Sequence, residues 1–270
     1  MSAAAPGAAM IGVVDYGAGN LRNVQAALDR IGAPWTPVTR PADLRGVSRL
    51  ILPGVGRFGA ASRRLRAAGL SAPLREFALS GRPFLGICLG MQLLFADSEE
   101  DPGEAGLGIL EGRVRRLEMK PLPHIGWATV APSIQWPGTL FDELPERFDA
   151  YFAHTFAVPA DDPQAAALAL GPVPFAAAVA RGATWGVQFH PEKSSEWGRR
   201  ILARFTTLPE GAGAGGGIAA AAGRGEGLAI PAGRGAALET VAAPDTAATG
   251  PRMRRIIPCL DIKGGRVVKG

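Results

Sequence analysis

Cysteine is scarce: the 270 residues hold two, Cys88 and Cys259. That is too few, and too widely spaced, for a disulfide framework, which excludes the stapled secreted scaffolds and fits a reduced, cytoplasmic protein. Long apolar runs are also missing. No stretch approaches the roughly 20 residues that span a bilayer. Residues 1–9 lack the basic start and apolar core of a signal peptide, and are expected to be a flexible extension. The three histidines, His124, His154 and His190, have no metal-motif spacing, so neither a metal nor another cofactor is expected. The chain has 29 Lys and Arg against 24 Asp and Glu, a net charge of +5 and a pI near 9.8. Its arginines are dispersed, however, with Arg63-Arg64-Leu65-Arg66 the densest run, and no nucleic-acid motif or aromatic platform accompanies them. That basic run reads as a solvated helix face. Neither nucleic acid nor a membrane is an expected partner.

Apolar residues make up 47% of the chain, enough for a sizeable core. Among them is Gly86-Ile87-Cys88-Leu89-Gly90, which follows an apolar run and precedes Met91-Gln92-Leu93-Leu94-Phe95, the expected start of a helix. It has the form of a nucleophile elbow, G-x-S-x-G with sulfur in place of oxygen, in which a sharp strand-to-helix turn lifts the nucleophile out of the sheet. Glycines beside the cysteine suit a cramped turn and close packing of helix on strand. A helix N-terminus facing the sulfur favours thiolate. A buried core cysteine is the plain alternative.

About a hundred residues on, Trp185, Val187 and Phe189 alternate as in a half-buried strand that ends at His190. In extended backbone residues two apart share a side, so Glu192 can lie against His190 with Pro191 stiffening the link. Nucleophile, base and orienting carboxylate make a triad. Taken alone, His-Pro-Glu is an ordinary loop. A third segment, Arg49-Leu50-Ile51-Leu52, reads as a buried strand opening into Pro53-Gly54-Val55-Gly56, whose backbone N–H groups can form an oxyanion hole. The glycines of Asp15-Tyr16-Gly17-Ala18-Gly19-Asn20 do not follow the dinucleotide fingerprint, because Arg22 stands at the third position, and a tight turn is the better reading.

Gly86-Ile87-Cys88-Leu89-Gly90-Met91-Gln92, Pro53-Gly54-Val55-Gly56 and His190-Pro191-Glu192 together resemble the class I, or triad, glutamine amidotransferases. Five further stretches narrow the resemblance to the glutaminase subunits of imidazole glycerol phosphate synthase, over residues 10–208. They are Asp15-Tyr16-Gly17-Ala18-Gly19-Asn20-Leu21, Gly106-Leu107-Gly108-Ile109, Leu122-Pro123-His124-Ile125-Gly126-Trp127, Tyr151-Phe152-Ala153-His154-Thr155-Phe156 and His190-Pro191-Glu192-Lys193-Ser194. The resemblance implies an enzyme of histidine biosynthesis in which Cys88 attacks the carboxamide of L-glutamine, His190 is general acid and base, and Glu192 orients it. It implies an oxyanion hole at Val55 and Gly56, and substrate binding by Gly54 and Gln92. It also implies a heterodimer with a (β/α)8 cyclase subunit that receives the ammonia, with Trp127, Tyr151 and Lys193 facing that partner. One departure is that Ala128 follows Trp127 where the family has Asn, and alanine offers no side-chain hydrogen bond. Two alternatives remain: an amidotransferase feeding another synthase, and a catalytically silent docking module of the same fold.

Short apolar strands at residues 11–14, 50–52 and 84–87 alternate with helical stretches at 21–31, 63–67 and 74–80. The expected fold is therefore α/β, a flavodoxin-like amidotransferase domain with a mostly parallel central sheet over residues 10–208. Residues 209–252, dominated by glycine and alanine, are expected to be a disordered linker. Residues 253–270 resemble the opening strand and turn of the cyclase subunit, with Asp261 at its aspartate position. One strand cannot assemble a barrel site, so no cyclase activity is expected, and the chain reads as a truncated glutaminase-cyclase fusion or a read-through product.

Overall fold

The computed structural model describes residues 10–17 and 21–209 and two short strands at Ile262–Lys263 and Arg266–Val267. The extension at 1–9, nearly all of the linker at 209–252 and most of 253–270, with Asp261 and Cys259, lie outside the described residues. The chain divides into two units, residues 1–223 and 224–270. In the second, the two short strands pair antiparallel, Ile262 opposite Val267.

In the first unit β1 (Ile11–Val14), α1 (Leu21–Arg30), β2 (Trp35–Val38), β3 (Arg49–Gly54), α2 (Phe58–Ala67), α3 (Ser71–Leu79), β4 (Phe84–Cys88) and α4 (Leu89–Gln92) alternate as expected. The second helix starts earlier than its arginine run suggested. Phe58, Ala61, Ser62 and Leu65 recur at helical spacing and all four are buried. Five short or antiparallel strands follow: β5 (Asp97–Ser98), β6 (Arg113–Arg116), β7 (His124–Pro132), β8 (Phe148–His154) and β9 (Phe156–Ala157). Then come β10 (Ala165–Ala169), β11 (Phe175–Arg181), β12 (Thr184–Val187) and α5 (Ser195–Thr207).

Nine of these strands form one sheet in the order β2-β1-β3-β4-β12-β11-β10-β7-β8. From β2 to β12 every neighbour is parallel. From β12 to β8 every neighbour is antiparallel. The parallel strands β1, β3, β4 and β12 are buried along their whole length, as strands covered on both faces must be. β4 lies between β3 and β12, with Gly54 opposite Cys88 and Val187 opposite Ile87. The turn after β3, the elbow after β4 and the segment after β12 therefore emerge side by side at the carboxyl edge of the parallel half. In open α/β sheets that edge is where ligands bind.

Candidate active site

Cys88 stands at φ +54° and ψ −112°, a conformation that side-chain-bearing residues avoid. Its neighbours explain how the turn is held. A Cβ added to Gly90 would sit 1.8 Å from the Leu52 carbonyl oxygen, and one added to Gly86 would sit 2.7 Å from the Gly90 oxygen. Helix and strand thus touch backbone to backbone, as the flanking glycines predicted. The helix itself is a single turn of four residues, so the expected dipole contribution to the thiolate shrinks to the few N–H groups of that turn.

His190 is buried, and its Nδ1 lies 2.9 Å from Glu192 Oε1, whose side chain is 1% exposed. The predicted strand stops earlier, at Val187, and Pro191–Lys193 forms a 3-10 turn, yet the backbone of His190 stays extended and the two side chains meet. Three hydrogen bonds that the sequence did not suggest fix this segment. The His190 main-chain N–H donates to the Tyr151 carbonyl at 2.9 Å. Fully buried Ser194 donates its hydroxyl to the His190 carbonyl at 2.7 Å and accepts the Tyr151 N–H at 3.0 Å. Burial disfavours charge on the His190 ring, but hydrogen bonds to Cys88 and Glu192, with the negative charge of both, outweigh it and raise its pKa to about 10.

Cys88, His190, Val55, Gly56 and Gln92 line one cavity of about 340 Å³, with Glu100, His154, Thr155 and Phe156 among its walls. Gly56 has φ +97°, a backbone that glycine adopts freely. Gly54 is not in that wall. It packs under the elbow, where an added Cβ would meet Gly90 N at 2.8 Å and the Tyr16 hydroxyl at 3.0 Å. Tyr16 donates to the Pro53 carbonyl at 3.2 Å, and burial together with the charge of Cys88 pushes its phenol above the ordinary range. Gln92 is buried and turned inward: its Nε2 donates to the Phe156 carbonyl at 2.8 Å and to Gln188 Oε1 at 3.0 Å. Gln188, to which sequence reasoning gave no role, donates Nε2 to the Cys88 sulfur at 3.7 Å.

The three residues expected to face a partner form one cluster. Trp127 lies opposite Tyr151 in the β7–β8 ladder, their rings 6.0 Å apart and near perpendicular, and the Lys193 ammonium sits 5.6 Å from the Tyr151 ring centre. Trp127 is 53% exposed and Ile125, on the same side of the strand, 57%. Among the described residues no three His, Cys, Asp or Glu side chains cluster as a metal cage, and no helix is long and apolar enough to cross a membrane.

The pattern of the class-I glutamine amidotransferases matches residues 12–207, and the chain belongs to that family. A solved structure of a glutamine amidotransferase has the same fold, with a TM-score of 0.59 and 23% identity over 73% of this chain and 97% of that one. The imidazole glycerol phosphate synthase subunit HisH of Desulfitobacterium hafniense is 45% identical over 198 residues, which are 73% of this chain and 93% of that protein. The chain thus falls with the glutaminase subunits of imidazole glycerol phosphate synthase, glutamine-hydrolysing enzymes of histidine biosynthesis. It is also similar to the imidazole glycerol phosphate synthase hisHF of Emericella nidulans, 36% identical over 265 residues, 93% of this chain and 43% of that one.

Proposed function

We propose that Cys88, His190 and Glu192 hydrolyse L-glutamine through a glutamyl thioester, and that the ammonia passes to a docked cyclase subunit. The observation that carries this reading is the strained elbow: it presents a sulfur to an imidazole whose far nitrogen is held by a buried carboxylate at 2.9 Å. With its pKa near 10, His190 holds a proton at neutral pH that it can hand on. The thiolate attacks the carboxamide carbon, and N–H groups of the Val55–Gly56 turn receive the oxyanion. His190 protonates the departing nitrogen, and ammonia leaves. His190 then takes a proton from water, which attacks the thioester carbon to release glutamate and restore the thiolate beside a protonated His190. Glu100 is the carboxylate placed to take the substrate's ammonium group, and Gln92, whose NH2 is already committed, offers that group only its oxygen. A wider cleft of about 590 Å³ shares Glu100, Thr155 and Phe156 with the cavity and serves as its approach.

The exposed Ile125 and Trp127, beside Tyr151 and Lys193, form the face for the cyclase, an apolar patch with one cation. Ala128 lies opposite Ala150 in the same ladder, so the docked interface forms without an amide at that position. A reduced compartment such as the cytoplasm suits the thiolate.

The test is glutamate release from glutamine by the full chain, alone and with a separately supplied cyclase subunit and its nucleotide ligand. Stimulation by the partner, lost in Cys88→Ala, is expected. No release under either condition would overturn the reading.

A further inference from the structure

We propose that Gln188 is a positioning residue for the nucleophile, an amide whose NH2 is forced toward the Cys88 sulfur by a single main-chain carbonyl, that of Phe156. The proposal rests on Cys88 being the reacting group. A glutamine amide has two ends of nearly equal shape and opposite chemistry. Turned one way toward a thiol, it presents oxygen and accepts S–H, which holds the proton on sulfur. Turned the other way, it presents N–H and favours the thiolate.

The surroundings decide between the two. A peptide carbonyl can only accept, so the end of Gln92 that lies 2.8 Å from the Phe156 oxygen must be NH2. That same NH2 lies 3.0 Å from the near end of Gln188, which must then be oxygen. The far end of Gln188, 3.7 Å from Cys88 Sγ, is therefore NH2. Turning Gln92 would set oxygen against the Phe156 oxygen, and turning Gln188 would set NH2 against NH2. His154 Nδ1, 3.0 Å from the same carbonyl, adds a second donor to it. Gln188 is 0% exposed and Gln92 4%, so bulk water cannot replace either partner. The Gln188 backbone is anchored as well, its N–H donating to the Ala177 carbonyl at 2.8 Å. Two residues on, the His190 ring hydrogen-bonds the same sulfur. One segment thus supplies both the base and a neutral donor to the nucleophile.

The experiment measures iodoacetamide labelling of Cys88, read by peptide mass, between pH 5 and 9 on the full chain, beside glutamate release with the cyclase subunit present. Gln188→Met keeps the volume and removes the donor. Labelling at pH 7 is expected to fall about tenfold, in line with a lost hydrogen bond to a charged group, with the profile displaced to higher pH and kcat lowered more than KM is raised. Gln92→Met leaves Gln188 in place but free to turn, and is expected to fall between that variant and the parent. A parental labelling profile in Gln188→Met would overturn the proposal. If Gln188→Met does not fold, a parental profile in Gln92→Met overturns it instead. Labelling of the parent without any glutamate release would sink the glutaminase reading alone, because the profile still reports on what faces the sulfur.

Discussion

His190 and His154 are buried to nearly the same degree, 4% and 6% exposed, and are driven in opposite directions. His190 is raised to about 10. His154 falls to about 3, because burial is the main influence on it and the positive charge of His124 and His190 adds to that, against one hydrogen bond to the Phe156 carbonyl. Its ring packs among Phe152, Phe175 and His124, with centroids 4.9 to 5.7 Å away, and its Nε2 has no hydrogen-bond partner among the described residues. Burial alone therefore does not set the chemistry of a histidine. What decides is whether a counter-charge is buried with it: Glu192 and the Cys88 sulfur on one side, an aromatic cage on the other.

The sharpest way to break this comparison is to remove each ring in turn. His190→Ala should lower glutamate release by on the order of 10³-fold or more, as loss of a triad base does. His154→Phe, which keeps the aromatic packing and leaves Gln92 on the Phe156 carbonyl, should cost less than about tenfold. Equal losses measured under partner-stimulated conditions would erase the distinction. Glu192→Gln comes next: it keeps the shape but removes the charge that holds the His190 proton. Turnover should drop by up to on the order of 10⁴-fold, less than on loss of the base, and the alkaline limit of activity should move to lower pH.

Stability against pH separates the two rings without any assay of chemistry. His190 is raised in the folded state, so its contribution is fully present below the ordinary value of about 6.5 and is lost as pH climbs toward about 10. His154 is lowered, so its contribution is present above about 6.5 and is lost as pH falls toward about 3. Urea midpoints should accordingly decline on both arms, with His190→Ala flattening the alkaline arm and His154→Phe the acid one. The smallest effect is expected for His154→Phe at pH 7, a change within about 1 kcal/mol in urea unfolding, since one hydrogen bond is lost and one orphaned nitrogen disappears with it.

Much of the parallel half of the molecule was legible in the sequence. Apolar runs at residues 11–14, 50–52 and 84–87 are strands, and Gly86 and Gly90 flank Cys88 because no side chain fits between turn and strand. The antiparallel half was not legible. β10 and β11 read Ala-Ala-Ala-Leu-Ala and Phe-Ala-Ala-Ala-Val-Ala-Arg, and alanine carries little strand preference, so only their place between β7 and β12 makes them strands. Within the site, Cys88 and the His190–Glu192 pair announced themselves because each depends on neighbours one or two residues away. Gln188 did not, since its partners Gln92 and Cys88 lie 96 and 100 residues distant. Gln92 was read as a substrate contact, and its burial turns its NH2 inward, which leaves only its oxygen for a substrate. Gly54, read the same way, packs beneath the elbow.

The sequence by itself determined the elements of the parallel half, the form of the elbow and the carboxylate beside His190, because turn sterics and the spacing of near neighbours are local. Only the tertiary structure decided which histidine carries a proton, which end of each glutamine faces the sulfur, and that Trp127, Tyr151 and Lys193 share one exposed face. Charge, hydrogen-bond polarity and exposure belong to groups brought together from distant parts of the chain, and none of them exists before the sheet has closed the distance.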